Sequence, residues 1–190
     1  MSPLDEAHLL TAILAGIVAL LGAVTLLPIG PALYRALPRA NKTGAVLATL
    51  CWAWVAAELT LHPIDFLAFL KPSYIIALCV ICVPLSWVLL RNLLCPRAIG
   101  GLLMLWPMPV ILAVRDFETA WRLVPITLGY ISLTAGMFAV FYPWMVRVFC
   151  EKLSVSIHAQ RNRALFGILL LLAAALLLIA LISYGKVIGE

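Results

Sequence analysis

Six apolar stretches, each long enough to cross a lipid bilayer as a helix, dominate this 190-residue sequence. A hydrocarbon core is about 30 Å thick, and roughly 20 apolar residues cross it as a helix that satisfies its own backbone hydrogen bonds. Because 65% of the residues are hydrophobic and only 11% are charged, little sequence remains for a soluble domain. We therefore predict an all-α integral membrane protein, a single polytopic domain over residues 1–190. Its spans cover approximately residues 8–27, 44–61, 74–90, 99–114, 125–148 and 164–183.

The segment between the second and third spans is too short to cross the membrane. Pro63 disfavours helical geometry at His62, so it ends or bends the second span there. Residues 63–70 are mostly apolar, and Asp65 lies near their beginning. We expect a short interfacial half-helix at this point, between spans two and three of a six-transmembrane-helix bundle.

The loops on the two sides of the predicted bundle differ in charge. On one side the loops contain a single acid, Glu151, against the basic residues Arg35, Arg39, Lys42, Arg91, Arg97, Arg147, Lys152, Arg161 and Arg163. Loops rich in Lys and Arg stay in the cytoplasm, so we expect a multi-pass inner-membrane protein with both termini on the periplasmic side. Topology and anionic lipid account for these charges, and nucleic acid is not expected as a partner.

Glu58 is the only carboxylate within a strongly apolar stretch. On a continuous helix Glu58, His62 and Asp65 would have the spacing i, i+4, i+7 and share one stripe, although Pro63 weakens that inference. Two interpretations stay open. Glu58 lies about one turn from the end of its span, so its side chain can reach the lipid headgroups. Alternatively it is a desolvated proton acceptor or ligand-binding carboxylate, with His62 as a relay.

Four charged residues leave the fourth span on the same side of the membrane as Glu58. They are Arg115, Asp116, Glu118 and Arg122, and either arginine could act as a counter-charge. The sequence thus predicts an outward-facing polar vestibule with Glu58 at its lip. One histidine and two carboxylates at uncertain geometry fall short of the ligand set that zinc needs, so no metal site is predicted.

Prolines interrupt two of the predicted spans. Pro84 lies near the middle of the third span, and Pro107 and Pro109 lie within the fourth. A proline removes one backbone donor and leaves a carbonyl without its helical partner. Freed carbonyls at membrane depth bind ions or polar solutes in transporters, but neighbouring side chains can equally satisfy them. Both interpretations remain open at these positions.

The pair Cys79 and Cys82 has the CxxC spacing of thiol oxidoreductases. Exchange of electrons with a quinone normally requires a second, water-accessible cysteine pair, and the outer loops contain no cysteine. Small, soft side chains packed in a helix interface explain the pair more simply.

No motif of a hydrolase, metalloprotease or nucleotide-dependent enzyme is present, so the sequence favours a non-catalytic protein. We predict a subunit or assembly partner of a larger membrane complex, in contact with membrane lipids and other membrane subunits. No cofactor is predicted, although such a subunit could hold a quinone or a bound lipid. A small proton-coupled carrier or channel that uses Glu58 is the alternative, and a membrane thiol/quinone redox enzyme that uses Cys79 and Cys82 is the third hypothesis.

Overall fold

The computed structural model of the protein describes residues 3–61, 71–90, 93–115 and 119–187. These residues contain α-helices and short 3₁₀ turns but no strand. The helices, in chain order, are α1 (Pro3–Leu26), α2 (Gly30–Ala36), α3 (Asn41–Leu61), α4 (Pro72–Leu89), α5 (Leu94–Leu105), α6 (Pro107–Val114), α7 (Leu123–Phe141), α8 (Pro143–Ser154) and α9 (Ala159–Val187).

Among the described residues, six helical segments are long and apolar enough to cross a membrane, which confirms the predicted all-α six-helix bundle. They are α1, α3, α4, the pair α5 and α6, α7, and α9. The short helices α2 and α8 lie in the first and last of the basic loops. The predicted half-helix at residues 63–70 lies outside the described residues. The assignment of the basic loops to the cytoplasm stays a prediction, and we call the side that carries α2 and α8 the basic side.

The helices pack in a definite spatial order. α4 packs mainly against α3, α3 packs against α5, and α5 and α6 pack against α7. α1 packs against α6 and runs antiparallel along α9, because Gly22 late in α1 lies beside Gly167 early in α9, whereas Ala7 meets Ala180. Close-packed apolar side chains fill the centre of the α1, α6 and α9 contact, where Val114 and Leu177 are fully buried. α4 is therefore at one edge of the bundle.

A pair of glycines allows α5 and α7 to cross closely. A Cβ atom at Gly136 would lie 2.7 Å from the carbonyl oxygen of Gly100, and one at Gly100 would lie 2.9 Å from the carbonyl oxygen of Gly136. Small residues are favoured where membrane helices approach each other. Lipid tails are as apolar as the helices, so the helices associate through close backbone packing and not through the hydrophobic effect. The α5–α7 crossing therefore depends on the absence of side chains at both positions.

The fifth span is shorter than the predicted range of residues 125–148. Its helix ends at Phe141, and Tyr142 has the non-helical backbone angles φ −123° and ψ 65°. Pro143 disfavours helical geometry at the residue before it and then starts α8 as the first helical residue. The membrane-spanning helix thus ends before Tyr142, and the chain continues as a separate short helix on the basic side.

Candidate functional site

Glu58 lies in the last turn of α3 and is half-buried. Its Oε1 atom accepts a hydrogen bond of 3.1 Å from the indole Nε1–H of Trp54, one turn earlier in the same helix. The carboxylate therefore has a neutral hydrogen-bond donor, the indole N–H of Trp54, within its own helix. His62 and Asp65 lie outside the described residues, so the predicted three-residue stripe stays a prediction.

The predicted counter-charges belong to another part of the bundle. Nη1 of Arg122 donates a hydrogen bond of 3.1 Å to the carbonyl oxygen of Arg115, which links the end of α6 to the turn before α7. α6 packs mainly against α1, α5 and α7, whereas α3, which carries Glu58, packs mainly against α4 and α5. Asp116 and Glu118 lie outside the described residues. The outward-facing vestibule thus remains a prediction.

Span four is interrupted at Pro107, and a neighbouring helix provides a hydrogen bond to the backbone carbonyl that the interruption leaves unpaired. α5 ends at Leu105 and α6 begins at Pro107, which has no backbone N–H to bond the carbonyl of Leu103. That carbonyl instead accepts a hydrogen bond of 2.9 Å from the hydroxyl of Ser132 on α7, and the same hydroxyl accepts one of 2.7 Å from Nε1 of Trp106. The carbonyl freed by Pro107 is therefore used for helix packing.

The other two prolines disturb the helices less than the sequence suggests. α4 continues through Pro84, and the nearby hydroxyl of Ser86 bonds the carbonyl of Val83 at 2.7 Å. Pro109 lies inside the first turn of α6, where a missing backbone donor costs little because these N–H groups have no helical partner. A substrate site built from unwound backbone gains no support at these positions.

The cysteines Cys79 and Cys82 lie one turn apart on α4, and both thiols are free. Cys79 is buried and Cys82 is half-buried. Their helix is at the edge of the bundle with α3 as its main neighbour. The redox hypothesis stays a prediction.

A groove in the membrane-spanning part of the bundle is a stronger candidate than any of these residues. We call it the α3–α5 groove. Residues of α3, α4 and α5 line it, and α3 packs against each of the other two helices. Its cavity volume is about 290 Å³, it is open along one side, and its lining is almost wholly apolar. The lining residues are Ala48, Cys51, Trp52 and Val55 of α3, Ser86 of α4, Leu90 just after it, and Leu94, Arg97, Ala98, Gly101, Met104 and Leu105 of α5.

The polar groups inside the groove are mostly satisfied within the bundle. The thiol of Cys51 donates to the carbonyl of Ala98 at 3.3 Å, and the hydroxyl of Ser86 bonds its own helix. Arg97 is the exception, because its buried Nε atom has no hydrogen-bond partner among the described residues. An unpaired buried donor on a charged group is costly, so a ligand acceptor at this position would stabilise it.

The groove extends over about half the thickness of a bilayer. From Leu94 to Leu105 along α5 there are eleven helical steps, or about 16 Å at 1.5 Å per residue, and a hydrocarbon core is about 30 Å thick. Arg97 lies in the first turn of α5, at the basic-side end of the groove, where a long cationic side chain reaches the headgroup region. The groove therefore matches one lipid leaflet in both length and polarity.

Sequence reasoning missed this groove, although its signal was present. The lining residues recur at the spacing i, i+3, i+4, i+7 on both α3 and α5, and three of them are Ala or Gly. In an almost uniformly apolar helix such a stripe does not stand out by hydrophobicity. Residue size along each stripe was the informative property.

No protein-family model matches this chain, and neither a curated protein nor a solved structure matches it significantly.

Proposed function

We propose that this protein is a non-catalytic membrane protein that holds an anionic lipid in the α3–α5 groove, as a subunit or assembly partner of a larger membrane complex. The observation that carries the proposal is the combination of an apolar groove one leaflet long with Arg97 at its headgroup end. One acyl chain would occupy the groove, and the lipid phosphate would accept hydrogen bonds from the guanidinium group.

The charge of Arg97 favours an anionic lipid over a quinone. A guanidinium group is always charged and offers planar donors that suit a phosphate, whereas a quinone ring is neutral and needs only a weak donor. The position of the groove agrees with this choice. If the basic loops are cytoplasmic, Arg97 lies in the leaflet that carries anionic phospholipid.

The edge position of α4 supports a role in assembly. α4 packs mainly against α3, and its outer surface bears large exposed apolar side chains such as Leu78, Val80 and Val88. A lipid in the groove would lie beside this helix and fill the gap between α4 and α5. It would thereby complete a continuous apolar surface for a neighbouring subunit to contact.

The carrier and redox hypotheses have no comparable support. Ser132 already occupies the carbonyl that a carrier with a broken fourth span would use, and the free thiol of Cys79 is buried in the bundle. We therefore propose no second function.

Native mass spectrometry of protein extracted gently from its own membrane tests the proposal. Arg97→Gln removes the headgroup contact and Val55→Trp fills the inner end of the groove. The matched controls are Arg161→Gln, an exposed arginine on the basic side, and Val46→Trp, an exposed position on α3. We expect anionic lipid on the wild-type protein and both controls. A charge-assisted contact of about 1.5 kcal/mol or more corresponds to about tenfold weaker retention in Arg97→Gln.

Equal lipid retention in Arg97→Gln, Val55→Trp and their controls would contradict lipid binding in the groove. The assembly role has a separate readout in the same spectra. A protein that always appears as a lone monomer, with no co-purifying subunit, would contradict that part of the proposal and leave the lipid site standing.

A further inference from the structure

A second cavity lies outside the membrane-spanning helices, on the basic side between α2 and α8. We call it the α2–α8 cavity. Its volume is about 710 Å³, within the range of about 300–1,000 Å³ typical of small-molecule sites. Among its lining residues are Tyr34 and Arg35 of α2 and Arg147, Cys150, Glu151 and Lys152 of α8. It shares no lining residue with the α3–α5 groove.

The charges around this cavity are unbalanced. Arg35, Arg147 and Lys152 contribute three positive charges, and Glu151 is the only acid in the lining. None of these four side chains makes an ion pair within the described part of the chain. Three cations facing one cavity repel each other, so a multiply charged anion between them would stabilise the arrangement.

Hydrogen bonds between distant segments hold the walls of the cavity in place. Nη2 of Arg35 donates to the carbonyl of Ser154 at 3.2 Å, which ties α2 to the end of α8. The hydroxyl of Tyr34 bonds that of Thr25 at 2.8 Å, which ties α2 to α1. Arg35 uses one of its donors in this way and keeps others for a ligand. The cavity is therefore part of the fold, with its cations on two different helices.

The two other ionisable groups of the lining stay neutral at physiological pH. Burial raises the pKa of the Cys150 thiol to about 11, and burial also raises the pKa of the Tyr34 hydroxyl above its usual value. Neither group adds negative charge that would compete with an anion. The field of the cavity is therefore positive across the whole neutral pH range.

We propose that the α2–α8 cavity binds a phosphate monoester or diphosphate group, held by Arg35, Arg147 and Lys152. Such a group carries about two or more negative charges, and its oxygens accept several charge-assisted hydrogen bonds at once. It can come from the headgroup of a membrane lipid or from a soluble metabolite. Since α2 and α8 follow directly on membrane-spanning helices, both sources can reach the cavity.

Binding to the full-length protein in lipid nanodiscs tests the proposal and separates the two sources. Inorganic pyrophosphate is titrated calorimetrically into nanodiscs of phosphatidylcholine alone. In a second arm the nanodiscs contain phosphatidic acid, a lipid phosphate monoester. Native mass spectrometry counts the bound lipid in the Arg97→Gln background, which lacks the headgroup contact of the α3–α5 groove. We expect binding in at least one arm, and it should weaken as salt is raised.

Charge substitutions identify the site. Arg147→Gln and Lys152→Gln should each weaken binding by about tenfold, as expected for loss of one charge-assisted contact. Glu151→Gln should strengthen binding, because it removes the only acid in the lining. Such a gain cannot result from misfolding. Arg161→Gln, an exposed arginine on the same side, is the control and should bind as the wild type does.

Three results would overturn the proposal. The first is no binding in either arm. The second is equal binding by the wild type, Arg147→Gln and Lys152→Gln, and the third is weaker binding by Glu151→Gln. Because Arg97 does not line this cavity, Arg97→Gln should leave pyrophosphate binding unchanged. Failure of this proposal is thereby distinguished from failure of the lipid site in the α3–α5 groove.

Discussion

Ser132 offers the sharpest test of how this bundle compensates for its broken fourth span. Its hydroxyl donates to the carbonyl of Leu103 at 2.9 Å and accepts from Nε1 of Trp106 at 2.7 Å. Ser132→Ala removes both hydrogen bonds and leaves two half-buried polar groups, the carbonyl of Leu103 and the indole N–H of Trp106, without these partners. Hydrogen bonds between membrane helices contribute about 0.6 kcal/mol on average and up to about 1.7 kcal/mol each. We therefore expect a loss of about 1 to 3 kcal/mol in the free energy of unfolding.

The measurement is equilibrium unfolding in mixed detergent micelles, followed by helical circular dichroism and tryptophan fluorescence. Thr134→Ala is the matched control, since the hydroxyl of Thr134 lies two residues away on the same helix and bonds only the carbonyl of Tyr130 at 2.8 Å. An exposed substitution of this kind should change stability by less than about 0.5 kcal/mol.

A double-mutant cycle with Pro107→Ala tests the cause. Alanine at position 107 supplies the backbone N–H that the carbonyl of Leu103 lacks, so Ser132→Ala should cost about 1 kcal/mol less in that background. If Ser132→Ala matches Thr134→Ala, or if its cost is the same with and without Pro107, then the serine does not compensate for the proline and our reasoning about span four is wrong.

Two further predictions concern packing and ionisation. Gly136→Ala should destabilise the protein by about 1 to 3 kcal/mol, because the added Cβ would lie 2.7 Å from the carbonyl oxygen of Gly100. Gly16→Ala is the control, since a Cβ atom added there would have nothing within 4 Å. It should be neutral or slightly stabilising in the same unfolding assay. For Cys150 the folded pKa is raised from 9.0 to about 11, so the folded state keeps a proton that the unfolded state loses, and stability should fall between pH 9 and 11. Unfolding measured across that range should show a smaller fall in Cys150→Ala, and an identical fall would contradict a buried thiol.

The membrane class and the six spans could be predicted from the sequence because they depend on the summed hydrophobicity of consecutive residues. Whether about 20 residues cross a bilayer depends on their own hydrophobicity and length. The exact residues at which the helices end depended on the backbone conformation beside each proline. Pro143 ended the fifth span at Tyr142, whereas at Trp106 the backbone kept helical angles of φ −63° and ψ −29° although Pro107 follows it. Sequence alone does not distinguish these two outcomes, because neighbouring helices decide which backbone conformation is stabilised.

The candidate site could not be predicted from consecutive residues in the same way. Glu58 was conspicuous because a carboxylate is rare in an apolar stretch, yet the described part of the chain gives it only Trp54 as a hydrogen-bond partner. Arg97 was predicted only as one charge in a basic loop. Its role became visible when α3, α4 and α5 formed a groove around it.

The sequence by itself determined that this chain is a six-span membrane protein with one strongly basic side, because hydrophobicity, span length and loop charge are properties of consecutive residues. Only the tertiary structure decided where its cavities lie. Arg35 meets the carbonyl of Ser154 across 119 positions of the chain, and the α3–α5 groove joins three separate helices. Contacts of this kind depend on which faces of the helices pack together, and in a uniformly apolar chain that choice is made by glycines, prolines and a few hydrogen bonds whose partners are distant in sequence.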